Sequence, residues 1–177
     1  MLRLKIDAVG YRYSWVELST LMALLGYEKI ACLPNISYPS QEAFREGLSS
    51  LERKDLLSDV GGHMLLDSVH SLLIHNLCQC GRFLSVRSND SAITLCACRE
   101  LFLLVKTVNC ALLIYAAPDL EEAEAYFYDS FSLFPEQSEA WIFKDGRSIP
   151  LKISPGGTPR ERIQPELLKD LAQRKDA

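Results

Sequence analysis

The chain has 177 residues, 48% of them hydrophobic and 24% charged, with a formal net charge of -4. That is enough for one domain with a sizeable core, and too apolar to remain disordered. The acidic balance argues against nucleic acid as the main partner, because phosphate binding needs a local excess of Lys and Arg. No run reaches the roughly 18 to 20 apolar residues needed to span a bilayer.

Residues 1–7, MLRLKID, interleave charges with apolar residues, an edge-strand pattern rather than the unbroken apolar stretch of a signal peptide. The expectation is a soluble, cytoplasmic protein with no membrane partner. Ser14 then caps a helix from Trp15 to Leu25, with Glu17 completing a capping box and Gly26 closing the end. A loop through Leu33-Pro34 and Tyr38-Pro39 leads to Ser40, the cap of a second helix carrying Phe44, Leu48 and Leu51. The segments 56–59 and 64–66 flank Gly61-Gly62 as a short hairpin. Asp67 caps a third helix to about Leu77, expected to be buried along Val69, Leu72 and Leu73.

Two helices, a hairpin and a helix make a winged-helix-like unit. The second helix, however, sets three Glu against two Arg over residues 41–53, whereas a recognition helix needs basic and polar side chains. Residues 81–116 read as consecutive antiparallel strands. Leu101, Phe102, Leu103, Leu104 and Val105 are apolar at odd and even positions alike, so both faces of that sheet must be covered, by flanking helices or by a partner.

Pro118-Asp119 opens a helix whose first turn is acidic and whose later half carries Tyr126, Phe127, Tyr128, Phe131 and Phe134. Phe127, Phe131 and Phe134 are expected in the core, with Tyr126 and Tyr128 at a rim. Asp145-Gly146 between Trp141–Lys144 and Arg147–Ile153 signals a hairpin. Residues 154–159 form a breaker, and Pro165 starts a terminal helix over Glu166–Arg174 that either packs back on the sheet or engages a partner. The fold expected is α+β: one domain over 1–177, with a winged-helix-like sub-lobe at 1–80, a central antiparallel sheet with flanking helices at 81–154, and a linker and helix at 155–177.

Catalytic chemistry is not announced. His70 and His75 stand five apart, which does not place them on one helix face, and His63 lies in a turn. No phosphate loop, nucleophile elbow or metalloprotease signature occurs. Cys78-Gln79-Cys80 and Cys96-Ala97-Cys98 have one residue between thiols where zinc knuckles have two or more. The six cysteines read as buried hydrophobes. The chain is read as a non-catalytic protein without cofactor or metal.

The order Trp15 to Gly26, then Leu33-Pro34, then Leu48 to Leu57 resembles the amino-terminal pattern of EspG-type proteins, whose helical segment ends in a Leu-rich L-x-x-R-x-L-L stretch where this chain has Leu51-Glu52-Arg53-Lys54-Asp55-Leu56-Leu57. These are cytosolic chaperones of ESX (type VII) secretion, with related proteins of unknown function in Firmicute secretion clusters. The resemblance spans most of residues 1 to 135. It implies binding without turnover: shielding a small helical secreted protein in the cytosol. Leu101, Leu103 and Val105 are the candidate partner-binding face, with Tyr126 and Tyr128 at its rim; full internal burial of these residues is the other reading. A winged-helix regulator with a basic face at Arg45, Arg53 and Lys54 is the alternative function, and a homodimer is compatible with either.

Overall fold

The computed structural model describes residues 10–108 and 111–173. The edge strand expected at 1–7 and the thiol of Cys110 lie outside them. The chain divides into two compact units, one from Tyr13 to Cys80 and one from Gly81 onward that also takes the chain up to Arg12.

Strand β1 (Tyr11–Ser14) runs directly into α1 (Trp15–Leu24). Ser14 and Glu17 form a reciprocal capping box, and a Schellman closure follows, with Tyr27 N–H bonded to the Met22 carbonyl and Gly26 in the left-handed region at φ 77°. Helix α2 (Gln41–Arg53) starts at the Ser40 cap and ends in the same motif, but with Asp55 in the left-handed position at φ 56°. Gly47 brings α2 against α1: a Cβ there would lie 1.9 Å from Thr20 Oγ1. The hairpin β2 (Leu57–Val60) and β3 (His63–Leu66) turns on Gly61-Gly62, both at positive φ as a type I′ turn requires.

Helix α3 (Ser68–Gln79) is capped by Asp67, which accepts from Val69 N and His70 N. Its buried stripe is Leu73, Ile74, Asn76 and Leu77 with His70 half-buried, while Val69 and Leu72 are exposed. This corrects the expected burial of Val69 and Leu72. Positions 70, 73, 74 and 77 lie on one helix face by their spacing and 72 falls off it, while Val69, four residues before Leu73, sits in the exposed first turn. The order of two helices, hairpin and helix is as expected, but it does not define a winged helix, because the helix that joins α2 in packing on α1 comes after the hairpin.

The other unit is built on a sheet that, among the described residues, has the order β1-β7-β6-β5-β4-β8-β9. Its strands are β4 (Phe83–Arg87), β5 (Ser91–Ala97), β6 (Phe102–Val108) and β7 (Ala111–Ala117), then β8 (Glu139–Lys144) and β9 (Arg147–Leu151), beyond helix α4 (Leu120–Phe131). Every pairing from β7 to β9 is antiparallel. The molecule is therefore an α+β protein with a central antiparallel sheet, and the Asp145-Gly146 turn has both residues at positive φ.

Helices α4 and α6 (Pro165–Ala172) cover one sheet face. Leu84, Val86, Ile93, Leu95, Leu104, Ala140 and Ile142 meet Phe127, Phe131, Phe134, Leu168 and Leu171 there, so the three phenylalanines sit in the core and the terminal helix packs back. A short helix α5 (Pro159–Arg162) occupies part of the expected breaker, opened by a Thr158–Glu161 capping box. Arg162 donates to the carbonyls of Phe134 and Pro135, and Arg82 to that of Asp170, mooring the C-terminal segment.

The opposite face carries Phe83, Cys96, Leu103, Val105, Leu112 and Ile114, all buried. Phe83 stacks on Phe143 with centroids 5.0 Å apart, Arg87 lies over the Trp141 ring, and Ser85 and Thr94 share a fully buried hydroxyl hydrogen bond of 2.9 Å. No helix among the described residues is long and apolar enough to cross a membrane.

Candidate functional site

The five residues expected to form a binding face are not brought together. Leu103 and Val105 are buried at 0% and 1% exposure on the face opposite α4. Leu101 falls in the β5–β6 turn, where its carbonyl accepts from Cys98 N. Tyr126 and Tyr128 belong to α4 on the other face; Tyr126 is half-buried against Tyr115, and Tyr128 is buried.

Each tyrosine hydroxyl is engaged. Tyr126 donates to Glu122 Oε1, and this bond, more than the modest burial or the Glu122 charge, raises its pKa. Tyr128 donates to the Ile163 carbonyl beneath the Arg160 guanidinium; burial raises its pKa, reinforced by Glu124. Both phenols stay protonated hydrogen-bond donors rather than acting as bases.

Within the helical unit, Glu17 is a buried carboxylate. Its oxygens accept from Ser14 N, Ser50 Oγ and Lys54 Nζ at 2.6–2.8 Å. Burial alone would raise its pKa, but these bonds and the Lys54 charge outweigh it and lower the value. All three donors belong to the α1 and α2 ends, so this cluster ties helices together. The Cys78 thiol is pushed up to about 12 by burial and, secondarily, by neighbouring Cys32, so it is no nucleophile at neutral pH. Among the described residues no three His, Cys, Asp or Glu side chains are placed to hold a metal ion.

What the helical unit does present is apolar surface. Val60 (56% exposed), Met64 (39%), Leu65 (53%), Val69 (46%) and Leu72 (48%) are five of the nine large apolar residues exposed among those described. In the hairpin register, Val60 opposes His63 and Leu65 opposes Ser58, which puts Val60 and Leu65 on one face, with Met64 on the other beside Asp59. Val69 and Leu72, three apart, share the outer side of α3. Asp67 N–H bonded to the Leu56 carbonyl fixes the hairpin's exit to its entry.

Exposed Glu52, Asp55, Asp59 and Asp67 border this stretch against Arg53 and Lys54, and Lys54 is engaged by Glu17. Sequence reading places Val69 and Leu72 on the buried side of α3; the 70-73-74-77 stripe is the signal that separates Leu72 from it, while Val69 is exposed by its place in the first turn. A separate open cleft of about 440 Å³ is lined by Trp15, Val16, Ser19, Ile36, Tyr38 and Pro39.

The fold defines an α+β protein whose helical unit exposes large apolar side chains on both faces of the β2–β3 hairpin and on the outer side of α3. Compared with protein-family models and with curated proteins, the chain matches none.

Proposed function

We propose that the protein is a non-catalytic cytosolic chaperone or adaptor that shields an amphipathic helix of a small secreted partner, as the EspG-type pattern suggests. The partner docks on the outer face of α3 and the β2–β3 hairpin, not on the sheet. The observation that carries this reading is the concentration of five exposed large apolar side chains within residues 60–72. An amphipathic helix laid against Val69 and Leu72 or against Val60 and Leu65 buries its own apolar stripe, and the neighbouring acidic residues favour a helix with basic flanks.

The test is a pull-down from native lysate with the tagged full chain at moderate salt, run beside Val69→Asp/Leu72→Asp, with mass spectrometry of what is retained. A small helical protein recovered in near-equal amount by the wild type, lost from the variant, and binding again when both proteins are purified supports the reading. Retention of nuclease-sensitive DNA alone, self-association through the same residues, or equal recovery by the variant overturns it.

A further inference from the structure

The loop that joins α1 to α2 leaves a cleft open against the two helices. Trp15 and Val16 line it from the first turn of α1, Ile36, Tyr38 and Pro39 from the loop, and Ala43 from α2; its volume is about 440 Å³. The Ser40 cap holds the end of the loop extended, at φ -63° and ψ 164°, and Ile36 is buried with its N–H bonded to the Leu33 carbonyl. A second hollow of about 510 Å³ is lined by Gly26, Glu28 and the same Tyr38. The Tyr38 ring, 62% exposed, is therefore a wall that the two share.

We propose that these two hollows form one groove for a proline-rich segment in the polyproline II conformation, with a basic residue at the end that lies by Glu28. Trp15, Tyr38 and Pro39 offer the flat apolar walls on which proline rings pack. A polyproline II helix has three residues per turn, so its prolines recur along one edge and can seat on either side of a protruding ring such as that of Tyr38. The groove shares no residue with the exposed apolar surface of residues 60–72, and this assignment does not rest on the docking reading above.

Hydrogen-bonding chemistry narrows the occupant. Trp15 contributes an indole N–H, Asn35 an amide and Tyr38 a hydroxyl, and among the described residues none of these side-chain groups has a hydrogen-bond partner. Ser19 also lines the cleft, but its hydroxyl already donates to the Val16 carbonyl. Proline has no N–H, and a polyproline II helix makes no internal hydrogen bonds, so its carbonyls are free to accept from such donors. An α-helix spends its carbonyls on its own N–H groups and cannot use them in the same way. Charge fixes the end: Glu28 is exposed, and no Lys, Arg or His side chain lines either hollow, so a cation is favoured there.

The test is a nuclear magnetic resonance titration of the labelled full chain with a synthetic peptide of repeated Ala-Pro-Pro units ending in arginine. The chain has two tryptophans, Trp15 and Trp141, so the indole N–H of Trp15 should shift saturably while that of Trp141 serves as the internal control. Tyr38→Ala should weaken binding by about tenfold or more, as loss of an aromatic anchor does. Tyr38 is exposed, so this variant should keep the wild-type unfolding midpoint. Glu28→Gln should remove the preference for a peptide ending in arginine over one ending in glutamate, a preference that should also fade as salt rises. No saturable shift at Trp15 up to millimolar peptide, equal binding of an analogue with alanine at every proline, equal binding by Tyr38→Ala, or an unchanged end preference in Glu28→Gln overturns the proposal. Because Val69→Asp/Leu72→Asp leaves the groove intact, that variant should bind the peptide as the wild type does, and binding lost there also overturns it.

Discussion

Replacing Gly47 by Ala tests the α1–α2 contact most directly. The new Cβ would lie 1.9 Å from Thr20 Oγ1, 2.7 Å from Thr20 Cβ and 3.2 Å from its Cγ2. Rotating Thr20 about χ1 moves the hydroxyl and methyl but not the Cβ, and it breaks the hydroxyl's 2.8 Å bond to the Val16 carbonyl. Thr20 is fully buried, so no solvent space receives it. The helices must therefore separate, and with them the Leu18, Leu21, Met22 and Leu51 packing. Overpacking of this kind costs about 1–3 kcal/mol or more, against a gain of about 1 kcal/mol in helix propensity for Gly→Ala. A severe clash places the cost at the upper end, for a net loss of about 2 kcal/mol. Urea unfolding followed by far-ultraviolet circular dichroism reads this as a lowered midpoint. Adding Thr20→Ala removes the hydroxyl and methyl and should recover part of the loss, giving a coupling of about 1 kcal/mol. A Gly47→Ala protein as stable as wild type would refute the close approach.

Asp55→Gly should stabilise the protein by about 0.5–1 kcal/mol in the same assay, since a left-handed helix terminus costs a side chain more than it costs Gly. Glu17→Gln should flatten the acid limb of stability. The Glu17 pKa is lowered by folding, so its contribution is full above the ordinary carboxylate value of about 4.3 and is lost as pH falls through the lower folded one; unfolding midpoints between about pH 6 and pH 3 for the two proteins should converge on acidification. Pro150, on strand β9 at the sheet edge opposite Trp141, lacks an N–H to offer a further strand. Pro150→Val should raise self-association at high concentration, read by light scattering, with little effect on the unfolding midpoint.

Local chemistry was readable in the sequence wherever the signal stays within a few residues. The caps at Ser14, Ser40 and Asp67 and the turns at Gly61-Gly62 and Asp145-Gly146 are of this kind, because each meets a backbone need inside one turn. Helix α5 shows how a strong signal masks a weaker one: Thr158 and Glu161 spell a capping box, but the glycines and prolines around them read as a break. The candidate site was less legible. When residues 101–105 are apolar throughout, alternation cannot say which face a helix covers, so Leu103 and Val105 look the same on paper whether buried or offered to a partner. Nor does composition separate Leu72 from Leu73; only their angular position on α3 does.

The buried pair of Ser85 and Thr94 has a consequence for how the strands find their alignment. In a sheet with one wet face, sliding a strand by one residue turns its apolar set into water, and that penalty fixes the pairing. Strands β4 to β7 lack this safeguard, because apolar groups line both faces. Here two hydroxyls hydrogen-bonded to each other away from water take over the role: any shift of β4 against β5 strands both, at a cost of about 1–3 kcal/mol for each unsatisfied group. A pair of small polar residues thus acts as the alignment key for a sheet whose greasy residues are interchangeable.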